Sequence, residues 1–149
     1  PGATFLAPAC SREKVDQVVS GCQDLEQGLE ALKVTSHRPA GLKEFELHLE
    51  LPLENGSRAL IMTDALFNLG GDPPRGLGGF VVKLIGSVGP LNITKIGRRL
   101  LLQSKEEFAN YVRDLSQIPN LAVLSVAHGQ CIREGVADAL IAASERIRK

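Results

Sequence analysis

Two apolar runs in this chain each end in a side chain that can carry chemistry. Residues 59–71, A-L-I-M-T-D-A-L-F-N-L-G-G, lead an apolar stretch into Asp64 and then into a loop. Residues 121–129, L-A-V-L-S-V-A-H-G, deliver His128 just before a glycine. A carboxylate and an imidazole, each at a strand end, point to a shared site, and both are metal-binding donor types. A third candidate ligand, His37, lies in S-H-R-P-A-G at 36–41. The plainer reading of Asp64 is a helix cap for residues 65–69. Against it, the preceding strand is apolar enough to bury the carboxylate's surroundings, where an unpaired charge is costly without a cation or donors. The plainer reading of His128 is an imidazole satisfied by backbone at a strand end.

The order His37, Asp64, His128, in the contexts H-R-P-A-G, I-M-T-D-A-L and V-A-H-G, resembles the metallo-β-lactamase-like hydrolase family. The resemblance covers nearly the whole chain but only the later part of the family's domain. The H-x-H-x-D-H loop, which supplies most of that family's metal ligands, has no counterpart among the three histidines here. The family's usual G-H-T-P-G also has Ser36 in place of its first glycine and Ala40 inserted before Gly41.

The resemblance implies a partial αββα sandwich with mixed sheets, residues 1–149 forming a single domain truncated at its N-terminus. The opening P-G-A-T-F-L-A-P looks like the strand that follows the missing loop. In a complete domain it implies two zinc ions, with Asp64 bridging them as the catalytic carboxylate and His37 and His128 among the remaining ligands. The bound water, its pKa lowered toward neutrality, would attack a small-molecule substrate that is a lactam, thioester, lactone or phosphodiester. With three candidate ligands, the chain alone is expected to bind zinc weakly or not at all. The competing expectation is a metal-free binding or structural module on the same fold. An α/β redox or nucleotide domain is disfavoured, because there is no C-x-x-C and the Gly-rich stretch 70–79 lacks the Lys-Ser/Thr ending of a phosphate loop.

The elements that would position these residues follow from periodicity. Residues 3–7 read as a strand. Ser11 opens a surface helix with Val15, Val18, Val19 and Cys22 on its inner face. Residues 24–32 form a further helix, with Leu25, Leu29 and Leu32 in line and Gly28 weakening it. From Glu44 the period is two. Phe45, Leu47, Leu49 and Leu51 form the buried face, and Glu44, Glu46, His48 and Glu50 the solvated one, so His48 is read as a solvated strand residue without a role. Asn55-Gly56 then signals a hairpin that pairs 59–63 antiparallel with that strand. Residues 69–102 are rich in Gly and Pro and read as a rim or lid holding an apolar patch at 80–85. Ser104 to Glu107 fits a capping box, opening a helix with Phe108, Tyr111, Val112 and Leu115 buried. A last helix spans about 134–147, with Val136, Leu140, Ala143 and Ile147 inward.

Composition narrows the partners. At 149 residues the chain suits one domain, and 17 basic against 17 acidic side chains, with one Tyr and no Trp, count against nucleic acid. Lys95, Arg98 and Arg99 form a small basic cluster of a kind that can meet an anionic substrate group, read here as a solvated face. No apolar run reaches the roughly 20 residues that span a bilayer. Cys10, Cys22 and Cys131, an odd number without metal-finger spacing, favour free thiols and a reducing, cytoplasmic location. The first residue is Pro1, so a processed or truncated N-terminus is expected, with a homodimer or further chain covering the sheet that truncation would leave open.

Overall fold

The computed structural model describes residues 3–9, 11–44, 46–70 and 89–149. It is a mixed α/β architecture, and its elements run β1 (Leu6–Ala7), α1 (Arg12–Asp16), β2 (Gln23–Asp24), α2 (Leu25–Ala31), β3 (Thr35–His37), β4 (His48–Pro52), β5 (Arg58–Asn68), α3 (Lys95–Leu100), α4 (Lys105–Leu115), β6 (Leu121–Gly129) and α5 (Val136–Arg148). Strands β1 and β2 pair in parallel. The main sheet has the order β3-β4-β5-β6, antiparallel as far as β5 and parallel between β5 and β6. Among the described residues no helix is long and apolar enough to cross a membrane. The apolar patch at 80–85, most of the Gly-rich stretch, Cys10 and Phe45 fall outside the described residues.

The hairpin forms as its Asn-Gly signal predicts. Leu53 donates its N–H to the Ser57 carbonyl, and Gly56 sits between them at φ +79. That is the left-handed residue a three-residue hairpin loop requires. Leu49 then faces Ile61, and Glu50 faces Leu60. Parallel β5 and β6 need a crossover, which α3 and α4 supply.

Helices α4 and α5 cover one face of the main sheet. Phe108, Val112, Leu140 and Ala143 meet Leu60 and Leu124, all of them fully buried. The four inward positions expected of the last helix are buried as read. Ser104 caps α4, accepting a hydrogen bond from Glu107 N–H at 3.3 Å. The reciprocal half of the expected box is replaced, because Ser104 donates its own N–H to the Gly41 carbonyl.

Three expectations are corrected. The first helix stops at Asp16 and buries nothing, and Val18 is 85% exposed. Successive β-branched valines and Gly21 at φ +84 do not extend a helix. In α2, Leu29 is buried but Leu32 lies beyond the helix end and is exposed. Asp24 caps this helix, and Gly28 makes room for the Leu6 side chain.

The largest correction concerns β4, where the period of two holds but its faces are exchanged. Glu46, His48 and Glu50 are buried, His48 completely, while Leu49 and Leu51 are half-buried and their neighbour Ile61 is 38% exposed. The polar side lies under the helices with each residue on it partnered, although among the described residues the buried His48 Nε2 itself finds no hydrogen-bond partner. Glu50 accepts from His37 Nε2 at 2.8 Å and from Arg58, Glu46 accepts from the Thr63 hydroxyl, and His48 Nδ1 lies 2.8 Å from the Tyr111 hydroxyl on α4. Alternation shows that two faces differ. Which one a helix covers depends on partners supplied from α4, β3 and β5.

Candidate functional site

Asp64 does not end its strand. β5 continues to Asn68, and the cap reading fails as well, since no helix follows. What sets Asp64 apart is a break in register. Met62 faces Val126, yet the next pair is Phe67 with His128, so β5 uses five residues where β6 uses two. The intervening Ala65 and Leu66 are both buried and adjacent Thr63 and Asp64 both exposed, a pattern that regular pleating cannot produce. An irregularity of this kind re-aims side chains. Here it turns Asp64 toward the end of β6, placing its Oδ1 3.1 Å from His128 Nε2, with both side chains more than half exposed.

His128 is held from below as well. Its ring stacks on Phe67 with centroids 4.5 Å apart and planes 14° from parallel. Just beyond it the strand ends are clamped, because Gln130 N–H donates to the Asn68 carbonyl at 2.9 Å and Asn68 Nδ2 donates to the Gln130 carbonyl at 2.7 Å. Gly129 makes that approach at φ +117, where a Cβ would run into the Asn68 carbonyl. The glycine after the histidine is therefore required by the way β5 and β6 meet.

Beside the pair, Asp64, Phe67, Thr94, Ile96, Gly97, Leu100 and Leu101 line a cavity of about 150 Å³. Helix α3 forms its wall. Thr94 caps that helix, accepting from Gly97 N–H at 2.9 Å, which leaves Ile96 and Leu100 as large exposed apolar side chains, 48% and 57% exposed. The basic cluster read on this helix is divided. Arg98 turns away to cap the end of α5, donating to the carbonyls of Arg146 at 2.7 Å and Ile147 at 2.9 Å.

His37 is not brought to the pair. Its loop is drawn to the start of α4, where the Gly41 carbonyl accepts from Gln103 and Ser104 N–H and Gly41 packs too closely for a side chain. From β3, opposite His48, its ring meets Glu50 instead. The group around it is structural. Burial pushes the Glu50 carboxyl up, but hydrogen bonds from Arg58 and His37 outweigh burial and hold it below its ordinary range. Burial, with the His37 charge adding, lowers the His48 pKa to about 3, and burial raises that of Tyr111. Among the described residues no three or more His, Cys, Asp or Glu side chains stand where they could hold a metal ion together.

Sequence reasoning missed Phe67 and the apolar wall. Phe67 was visible as the one aromatic in the run after Asp64, while Ile96 and Leu100, at i and i+4 beside a run of basic residues, could have been read as a stripe facing out. No protein-family model matches this chain, and no curated protein matches it significantly.

Proposed function

We propose that the chain carries part of a metal-dependent hydrolase site centred on Asp64 and His128, built on a sandwich of the metallo-β-lactamase type. The observation that carries the proposal is the 3.1 Å approach of Asp64 Oδ1, at the irregularity within β5, to His128 Nε2 near the carboxyl end of the adjacent parallel strand β6. Two donors bound at roughly 2 Å to one tetrahedral ion stand about 3.3 Å apart. A carboxylate oxygen and an imidazole nitrogen are also a donor set suited to zinc. The residues present therefore fit an ion at this point, Asp64 and His128 as two of its ligands. His37 is engaged with Glu50, so the remaining ligands in this proposal come from residues other than these three.

When bound, zinc would lower the pKa of a coordinated water toward neutrality and polarise the group under attack. The chain's own residues do the positioning. The β5 irregularity aims the carboxylate, the stacked Phe67 fixes the plane of His128, and the Asn68–Gln130 clamp keeps the strand ends together.

Bound zinc and ester, thioester and phosphodiester hydrolysis should be measured for residues 1–149 and for the full-length protein. The short chain should hold less than one zinc and be inactive. The full-length protein should hold close to two and lose at least a hundredfold in activity on Asp64→Ala. Full-length protein without zinc or turnover would replace this reading with a metal-free binding module on the same fold.

A further inference from the structure

Asn55 is followed by glycine, whereas the other asparagines, Asn68, Asn92, Asn110 and Asn120, precede Leu69, Ile93, Tyr111 and Leu121. A side-chain amide can be attacked by the backbone nitrogen of the next residue, because closing that five-membered ring is intramolecular. A bulky side chain on the attacking residue obstructs the closure, and glycine, without a Cβ, does not. Nothing else crowds this position, since a Cβ at Gly56 would find no atom within 4 Å. Both residues stand exposed at the tip of the β4–β5 hairpin, where water reaches them.

The amide is also held in a way that favours attack. Asn55 Oδ1 accepts two hydrogen bonds from Ser57, one from its N–H at 3.0 Å and one from its hydroxyl at 2.6 Å. Negative charge builds on that oxygen as the ring closes, and both donors are already aimed at it, as in the stabilisation of an oxyanion during acyl transfer. The amide nitrogen, which must leave, makes no hydrogen bond among the described residues. One contact opposes the step, because Gly56 N–H donates to the Leu53 carbonyl at 3.0 Å. That bond lies at an exposed loop tip, where local opening costs least, so it gates the reaction without preventing it.

We infer that Asn55-Gly56 is a self-modification site, at which the folded chain, assisted by the two Ser57 donors, converts Asn55 through a cyclic imide to aspartate and isoaspartate. Gly56 N forms a bond to Asn55 Cγ, the bond from Cγ to the amide nitrogen breaks, and ammonia leaves with the Gly56 proton. Water then opens the imide at one of its two carbonyls. Breaking the new bond to Cγ gives aspartate. Breaking the original peptide bond gives isoaspartate, whose main chain runs through Cβ and Cγ and is one carbon longer. Either product sets a carboxylate beside Glu54, and the longer chain of isoaspartate alters the turn that aligns β4 with β5.

Full-length protein should be incubated at neutral and at mildly alkaline pH and followed by peptide mass spectrometry, with enzymatic methylation to count isoaspartate. Asn55 should convert about tenfold or more faster than Asn68, Asn92, Asn110 and Asn120, and faster at the higher pH, because the attacking nitrogen gives up its proton. Ser57→Ala should slow the folded protein about threefold or more, and Ser57→Thr, which keeps both donors, should restore the rate. Gly56→Ala should slow it about tenfold. In a synthetic peptide of residues 50–61, where the hydroxyl is not held on Oδ1, Ser57→Ala should have much less effect. Conversion of Asn55 no faster than that of the other asparagines, or a folded rate indifferent to Ser57→Ala, would overturn the inference. Equal slowing of protein and peptide would overturn it too, because the hairpin would then play no part.

Discussion

Between pH 6.5 and 4.5 the folded chain should lose about 2 kcal/mol of stability, and His48 should account for the loss. Burial, with the charge of His37 adding, lowers its pKa from 6.5 to about 3, so over this interval the unfolded chain takes up a proton that the folded chain does not. Stability is fully present above pH 6.5 and falls as pH drops through the window, at up to about 1.4 kcal/mol per pH unit. Glu50, also depressed in the folded state, contributes stability that is lost only below its ordinary value near 4.5. The loss from Glu50 therefore falls below the window assigned to His48. Denaturant melts at half-unit pH steps should show this slope in the wild type. In His48→Gln, which keeps a neutral polar group near the Tyr111 hydroxyl, the slope should largely vanish. An unchanged slope in the variant would mean that His48 does not titrate as its burial requires.

Gly129→Ala should cost about 3 kcal/mol, a fall in Tm of roughly 6–12 °C for a chain of this size. Two effects combine at this position: φ is +117, and a Cβ would stand in contact with the backbone carbonyl of Asn68, which has no flexible end to swing aside. Gly56→Ala is the control, since its φ is +79 but nothing lies within 4 Å, and it should cost only about 1 kcal/mol. Relief of the clash must part β5 from β6 where Phe67 faces His128, so the variant should also weaken whatever Asp64 and His128 bind together. Equal costs for the two substitutions would show that the strand ends are not clamped as described.

The parts of the fold that could be read from the sequence are those set by local chemistry. Asn55-Gly56 made the hairpin, Ser104 opened a helix, and the apolar positions of the last two helices pointed inward as their spacing requires. The N-terminal helix was over-read because cysteine and valine spacing says nothing about what is available to pack on. The polar side of β4 was misplaced because its partners lie up to 63 positions away, at Tyr111, and long-range partners leave no trace in a local period. The pairing of Asp64 with His128 was legible as two chemistry-bearing strand ends. The means of pairing, an irregular strand that continues past the acid, was not. His37 was drawn elsewhere by Gly41 and the start of α4, contacts that the inserted Ala40 only hinted at.

The central claim is that Asp64 and His128 face a common ion, and the imidazole nitrogens of His128 report on it most directly. Histidine-labelled full-length protein should be titrated with zinc and followed by long-range nitrogen–proton NMR, with Asp64→Asn measured in parallel. The account predicts that His128 Nε2, the atom now 3.1 Å from Asp64, moves to the shift of a metal-bound nitrogen at close to stoichiometric zinc, that His48 does not respond, and that Asp64→Asn weakens the response at least tenfold. A His128 ring unchanged by saturating zinc would contradict it.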